Sequence, residues 1–369
     1  MGLTILPKKF YDAFNTQNAL LASIASHVGT DGIKISSWED IQRLNRMGLA
    51  EKMFKPGDQF LSSYGDSGQI VWDVIGFHDI PTDKKYTKAM TLQAHDCILN
   101  VQFDAPEALY YAEEGLPAGE QVFTDSGGDK YKFTTTLPVP SGGQIVLGGW
   151  PSEGYVATTA TTYAADRITI IESDITVIPT DTGADTLAEV NNRSRCRYGS
   201  NNYVESAIKQ WLNSEATSFK WVPKTNFDRP PTGAPYTGAG FLKLLDPELV
   251  SVLGAVDKQV TRNTITDGGG QDLFSDKVFL LSRVEVFGGT EGTTTGEQAY
   301  PYYSTLAANP TTDALAGRIK YLDGSARYWW LRSPSTGYAH FPRFVDTPGA
   351  VYSDDASNAR GAAPACCIV

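Results

Sequence analysis

"YWWLRSPSTGYAHFPRFVDTPGAVYSDDASNARGAAPACCIV" runs from Tyr328 to Val369, and its reading decides the fold. Its first part reads as a buried strand. Successive strand side chains point to opposite faces, so the adjacent pair Trp329 and Trp330 must bury at least one ring. Its last part, small and apolar, reads as a second strand. Between them lie Tyr338, His340, Phe341, Phe344, Asp346, Tyr352, Ser353, Asp354 and Asp355, set among Gly, Ala, Pro, Thr and Asn. They follow neither the helical nor the strand period. Loops on a rigid scaffold are where binding residues vary without unfolding the protein. Tyr, Phe and His bury much area for few rotatable bonds, and Asp and Ser add adaptable polar contacts, the mixture found in antibody paratopes. These nine residues are the candidate ligand-binding set.

The chain has 369 residues, with formal charge −11 and ordinary apolar content. It is long enough to bury a sizeable core. Abundant Gly, Thr, Tyr and Pro favour strands and turns. Acidity without a Lys/Arg cluster argues against nucleic acid and anionic membranes as partners. No apolar run is long enough to span a membrane. The start, MGLTILPKKF, has no apolar signal region, which predicts synthesis in the cytoplasm.

Upstream, the N-terminal segment 1–34 contains one amphipathic helical stretch, with Phe10, Phe14, Leu20, Leu21 and Ile24 roughly at helical spacing. "ISSWEDIQRLNRMGLAEKMFKPGDQF" then carries a capping box, Ser36 or Ser37 with an acid three residues on, and Gly57-Asp58 turns the chain into strands. "QIVWDVIGF" and "MTLQAHDCILNVQF" read as strands. Residues 106–189 are rich in Thr, Gly, Tyr and Val, in short runs such as "KYKFTTTLPVP" and "YVATTATTYAADRITIIESDITVIP", and predict a β-rich insert. "NNYVESAIKQWLNS" reads as a helix capped by Asn201 or Asn202. "FLKLLDPELVSVLGAV" and "KVFLLSRVEVF" read as buried strands.

The order "SWEDIQ", "WDVIGF", "YGSNNYVESAIKQWLN", "KVFLLSRVEV", "YWWLRSP" and "ASNARGAAPA" resembles a family of C-type-lectin-like domains. Arg360, Gly361, Pro364 and Ala365 match its closing Arg-Gly-x-x-Pro-Ala strand. The resemblance implies an α+β fold of the lectin-like, formylglycine-generating-enzyme-like kind. One domain would be built from residues 35–105 and 190–369, with the insert and the N-terminal segment outside it. A subset of that family serves as variable proteins of diversity-generating retroelements, the phage major tropism determinant being the best-known kind. There a reverse transcriptase misreads template adenines, so AAY codons scatter into many residues. The irregular residues of the variable region, 332–360, look like such scatter. From Arg332 to Val369 there is no Lys, Gln, Glu, Met or Trp, none of which has a codon ending in a pyrimidine. The resemblance implies a non-enzymatic receptor-binding protein at a phage tail tip, or alternatively on a bacterial surface. Its ligand would be a bacterial surface protein or glycan, and its assembly a homotrimer.

Other chemistry has less support. His78-Asp79 and His95-Asp96-Cys97 invite a catalytic or metal reading, but a strand sends His95 and Asp96 to opposite faces. "GDSG" at Gly65–Gly68 reads as a turn. "YSDDAS" lacks calcium-loop spacing. The resemblance also implies a rival, a formylglycine-generating-type oxidoreductase working through a reactive Cys pair, but Cys366 and Cys367 lie in a terminal strand with no electropositive setting; a structural virion or surface protein is the third reading. No metal, cofactor or catalytic residue is assigned.

Overall fold

The computed structural model describes residues 4–5, 35–79, 88–124, 130–135, 138–139, 141–146, 161–164, 168–171, 175–177, 191–292, 297–307 and 315–369. The helical stretch expected within residues 1–34, carried by Phe10 to Ile24, lies outside these residues; ahead of it Thr4–Ile5 form a strand, β1.

The capping box expected at the start of the next segment is present. The Ser37 hydroxyl accepts the Asp40 backbone N–H and the Asp40 carboxylate accepts that of Ser37, opening α1 (Trp38–Arg46). Trp38, Ile41 and Leu44 form its buried face. A short α2 (Ala50–Met53) leads to β2 (Gln59–Tyr64), β3 (Gly68–Asp79) and β4 (Lys88–Ala94), an antiparallel run. The strand read through "MTLQAHDCILNVQF" breaks at His95, and β5 (Asn100–Gln102) joins a different sheet.

The insert contains β6 (Tyr110–Ala112), β7 (Gly119–Thr124), β8 (Lys130–Thr135), β9 (Gly143–Val146), β10 (Thr161–Ala164), β11 (Ile168–Ile171) and β12 (Ile175–Val177). They form two small sheets, in the orders β10-β11-β9-β6 and β12-β8-β7. Residues 125–129, 136–137, 140, 147–160, 165–167, 172–174 and 178–189 of the insert lie outside the described residues.

Downstream, Asn192 caps α3 (Arg193–Tyr198), and Ser206 caps α4 (Ala207–Leu212). Asn201 and Asn202 do not cap α4: Asn201 is committed elsewhere, and Asn202 turns the chain by accepting the Val204 N–H. The two apolar runs read as strands are mostly helical. "FLKLLDPELVSVLGAV" forms α5 (Phe241–Leu244) and α6 (Pro247–Val252), because Asp246 caps and Pro247 takes the first helical turn. After β13 (Val256–Thr261), β14 (Gln271–Asp276) and the two-residue β15 (Val278–Phe279), a second capping box, Ser282 with Glu285, starts α7 (Arg283–Phe287). Continuous apolar runs do not separate strand from buried helix, whereas the cap residues do.

Beyond α8 (Pro301–Ala307), a hairpin of β16 (Lys320–Leu322) and β17 (Ser325–Arg327) turns through Asp323-Gly324, both at positive φ. The quoted C-terminal stretch then supplies β18 (Trp329–Pro334), β19 (Pro342–Val345), β20 (Val351–Ser353), β21 (Ala359–Gly361) and β22 (Ala365–Ile368). Two sheets organise the molecule. One runs β1-β2-β3-β4-β22-β15, with the final strand inserted between β4 and β15. The other runs β20-β19-β18-β21-β5. Both therefore pair C-terminal strands with strands from before the insert. One hydrophobic cluster joins Trp38–Phe103 to Tyr203–Val369, and the insert's buried Leu109, Tyr110, Ile145 and Val146 lie outside it. The fold is α+β, rich in strands, with short helices and no closed barrel among the described residues.

Trp329 and Trp330 are both fully buried, so both faces of β18 are covered. Their indole N–H groups donate to the Arg318 and Val101 carbonyls, each at 2.9 Å. Where β21 meets β18, Gly361 allows a close approach: a Cβ there would stand 2.4 Å from the Cys97 sulfur. Replacing either Trp by Ala is expected to cost about 3–5 kcal/mol, read from urea unfolding. If both single variants keep the parent's midpoint, β18 is not the centre of this core.

Candidate functional site

The irregular residues fall on the segment 335–341, on β19 and β20, and on the loop that leads to β21. Direct cross-strand partners share a sheet face. Trp330 pairs with Phe344, and Phe344 with Tyr352. This row climbs from the core to the surface: Trp330 is fully buried, Phe344 is 6% exposed and Tyr352 is 62% exposed. Tyr328, partly exposed, packs at a tilt on Phe344, with 5.0 Å between ring centroids.

A second aromatic group is built on the segment 335–341. Tyr338 is 52% exposed, with its ring 5.0 Å from that of Phe341. His340 lies against Phe341 at 3.9 Å and stacks on Tyr198, from α3, at 4.9 Å. Acids link the two groups. His340 Nε2 is 3.9 Å from Asp355 Oδ1. The neighbouring Asp354 accepts a hydrogen bond from Arg360 Nε at 2.7 Å, and the Arg360 guanidinium stands 5.1 Å from the Tyr328 ring centroid. Seven of the nine candidate residues thus form one band: Tyr338, His340, Phe341, Phe344, Tyr352, Asp354 and Asp355.

The other two stand apart. Ser353 is opposite Arg343, on the reverse face of β20. Asp346 closes the β19–β20 turn: its N–H donates to the Ala350 carbonyl, and its carboxylate accepts the Ala350 N–H at 2.6 Å. Phe344 also belongs to the main hydrophobic cluster.

What fixes the backbone under this band was not legible in the residue pattern. Asn201 is fully buried, and its amide Nδ2 donates to the carbonyls of Tyr338 at 2.6 Å, Phe341 at 3.3 Å and Ser335 at 3.5 Å. Its backbone N–H donates to Ala339. Asn263, also buried, donates to the Asn201 Oδ1 at 2.8 Å and to Asp267 at 2.9 Å. Asp267 accepts from Arg195, which in turn holds Glu107. The segment is gripped by its carbonyls, and the grip is indifferent to which side chains project from it.

The remaining chemical candidates sit elsewhere. His95 pairs with Asp73 at 2.9 Å, not with Asp96, and borders a cavity of about 520 Å³ against the β16–β17 turn. Hydrogen bonding to Asp73 raises its pKa. His78 Nδ1 lies 3.4 Å from the Thr91 hydroxyl, beside a cavity of about 500 Å³. The buried charges near that cavity are mutually satisfied. Arg332 donates to Glu285 and Glu297, and Lys258 donates to Glu285 and the Tyr300 hydroxyl. No group of three or more His, Cys, Asp or Glu suited to a metal occurs among the described residues. No helix among them is long and apolar enough to cross a membrane.

Comparison with known families gives one match, over residues 168–369, which is more than half of the chain. The chain belongs to the DUF6273 family. That family is described as a domain of unknown function. The DUF6273 match starts at β11 and includes the whole aromatic and acidic band. It leaves out β2 to β5, although β4 and β5 pair with its final strands. No curated protein and no solved structure matches the chain.

The band carries two oppositely perturbed groups. Burial pushes His340 down to about 4, and its Nδ1 is buried without a hydrogen-bond partner. Burial, with repulsion from Asp354 added, pushes Asp355 up to about 6. The unfolded chain binds the imidazole proton more readily, so the His340 contribution to stability is whole above about pH 6.5 and is lost as pH falls toward 4. The Asp355 contribution has the opposite sign. It is whole below about pH 3.8 and is lost as pH rises through 6. Replacing His340 by Gln removes the first contribution only. Urea unfolding from about pH 6.5 down to 4 is expected to show the variant gaining on the parent as pH falls. A parent–variant difference that stays constant across this window contradicts a buried neutral His340.

Proposed function

We propose that the chain is a non-enzymatic binding protein with a C-type-lectin-like domain, whose C-terminal band is its recognition surface. One observation carries the reading. Exposed Tyr338 and Tyr352, with Asp354 and Asp355 between the two aromatic groups, project from a backbone that Asn201 and the strand ladder hold without them. Large exposed aromatics interleaved with acids are costly to leave in water and mark a partner-binding patch.

The same division supports a variable protein of a diversity-generating retroelement. Side chains that are rewritten must not carry the fold, and side chains that carry it must not be rewritten. On this reading the protein works at a phage tail tip, alternatively at a bacterial surface, and its ligand is a bacterial surface protein or glycan. A homotrimer is part of the same proposal.

The oxidoreductase alternative is disfavoured by the setting of Cys366 and Cys367. Both are fully buried in β22, and burial raises both thiols, which keeps them protonated and inert.

Sequencing the coding region tests the proposal. A near-copy of the segment encoding residues 332–360, differing from it at adenines and adjoining a reverse transcriptase gene, is expected. The codons of Tyr338, His340, Tyr352 and Asp355 should be among the mismatches, and those of Trp329, Trp330 and Gly361 should not. A neighbourhood without such a copy contradicts diversification.

A further inference from the structure

The band's acids are not equally partnered. Asp354 is bound by Arg360 and also accepts from the Asn358 side-chain amide at 3.0 Å. The Asp355 carboxylate accepts no hydrogen bond from any described residue, and its nearest basic group, His340 Nε2, is 3.9 Å away. The charged and titratable groups around it are few. They are His340 from the segment 335–341, Asp354 on its own loop and Arg360 from β21. Arg360 is committed to Asp354 and to the Tyr328 ring.

The chain thus displays the same recognition unit twice. On one side, Asp354 and the Tyr328 ring hold the Arg360 guanidinium. On the other, Asp355 faces His340, whose ring stacks on Tyr198 and meets the exposed Tyr338 ring edge-on, and no Lys or Arg among the described residues is bound to the carboxylate. Carboxylate plus aromatic face is the combination that favours guanidinium and ammonium groups.

We propose that Asp355 receives an arginine or lysine side chain of a protein partner, docked against the Tyr338–His340 rings. This rests on the recognition reading above and names the chemistry of its partner. Two further observations favour a protein. Tyr338 stands open to solvent, and the two cavities described above are lined by other residues, so the band offers a surface contact rather than an enclosed pocket. The chain's charge of −11 favours a basic partner surface.

The test titrates the ¹⁵N-labelled full chain with a blocked Gly-Arg-Gly peptide, with blocked Gly-Gln-Gly and methyl β-galactoside as controls. At about pH 7.5, above the value to which Asp355 is raised, the arginine peptide alone is expected to give saturable shifts at the amides of His340, Asp355 and Ala356. Asp355→Asn should weaken that response about tenfold, as should lowering the pH to about 5, where the carboxylate is protonated. The melting temperature of Asp355→Asn is expected to match or exceed the parent's, which keeps loss of binding distinct from loss of fold. No arginine response, an unchanged response in Asp355→Asn, or a response to the galactoside alone overturns the proposal. A near-copy of the coding segment found together with a failed titration sinks this inference and leaves the recognition reading standing. The opposite pair of results does the reverse.

Discussion

One buried carboxamide holds the aromatic and acidic band in place. Asn201 spends its N–H₂ on carbonyls of the segment 335–341 and its oxygen on Asn263, and is sealed from water. Because it binds main chain, it specifies where the segment runs without specifying which side chains the segment carries. The support continues through Asn263, Asp267 and Arg195 to Glu107, at the edge of the insert. Removing any member strands buried polar groups at about 1–3 kcal/mol each. A network of this kind is worth most when every member is satisfied.

A second polar cluster anchors the strand from which the band departs. Arg332, fully buried in β18, reaches Glu285, Glu297 and the carbonyls of Gln259 and Leu280. Burial alone would push Glu285 up, but Arg332 and Lys258 outweigh it and hold the carboxyl low. Buried ion pairs add little net stability over apolar packing, yet losing one partner costs several kcal/mol. Their effect here is positional: Arg332 fixes β18 against α7 and β13. With Trp329 and Trp330 locked on opposite faces, the point where the chain leaves the core is set.

How much of this was legible in the sequence differs by feature. The paired Trp, the Ser37–Asp40 capping box, the Gly-Pro spacing of the last strand and the β-rich character of 106–189 could be read because each is local. The helices at 241–252 and 283–287 were hidden inside apolar runs, where only Asp246-Pro247 and Ser282-Glu285 betrayed them. Aromatic and acidic types without a period pointed to seven residues that the fold does bring together. They also included Ser353 and Asp346, because a loop's side-chain direction and turn role depend on register, which composition does not carry. Asn201 was misread as a helix cap. Its partners lie 134 to 140 residues away, and no local pattern encodes such a reach. Tyr198, whose partner His340 is as distant, was missed for the same reason, and Tyr328 and Arg360, which lie near their partners Phe344 and Asp354, because register decides which way they face.

The account divides the C-terminal stretch into a main chain that carries the fold and exposed side chains that do not. Native-state hydrogen exchange tests that division most directly, comparing the parent with the triple variant Tyr338→Asn, Tyr352→Asn, Asp355→Asn. The amides of Ser335, Tyr338, Asp354 and Ala356 donate to main-chain carbonyls of Phe341, Ser335, Pro342 and His340. The account predicts protection at these amides within about 0.5 kcal/mol of the parent. Loss of protection there, with β2 to β4 still protected, would show that the exposed side chains hold the segment, and would contradict the division.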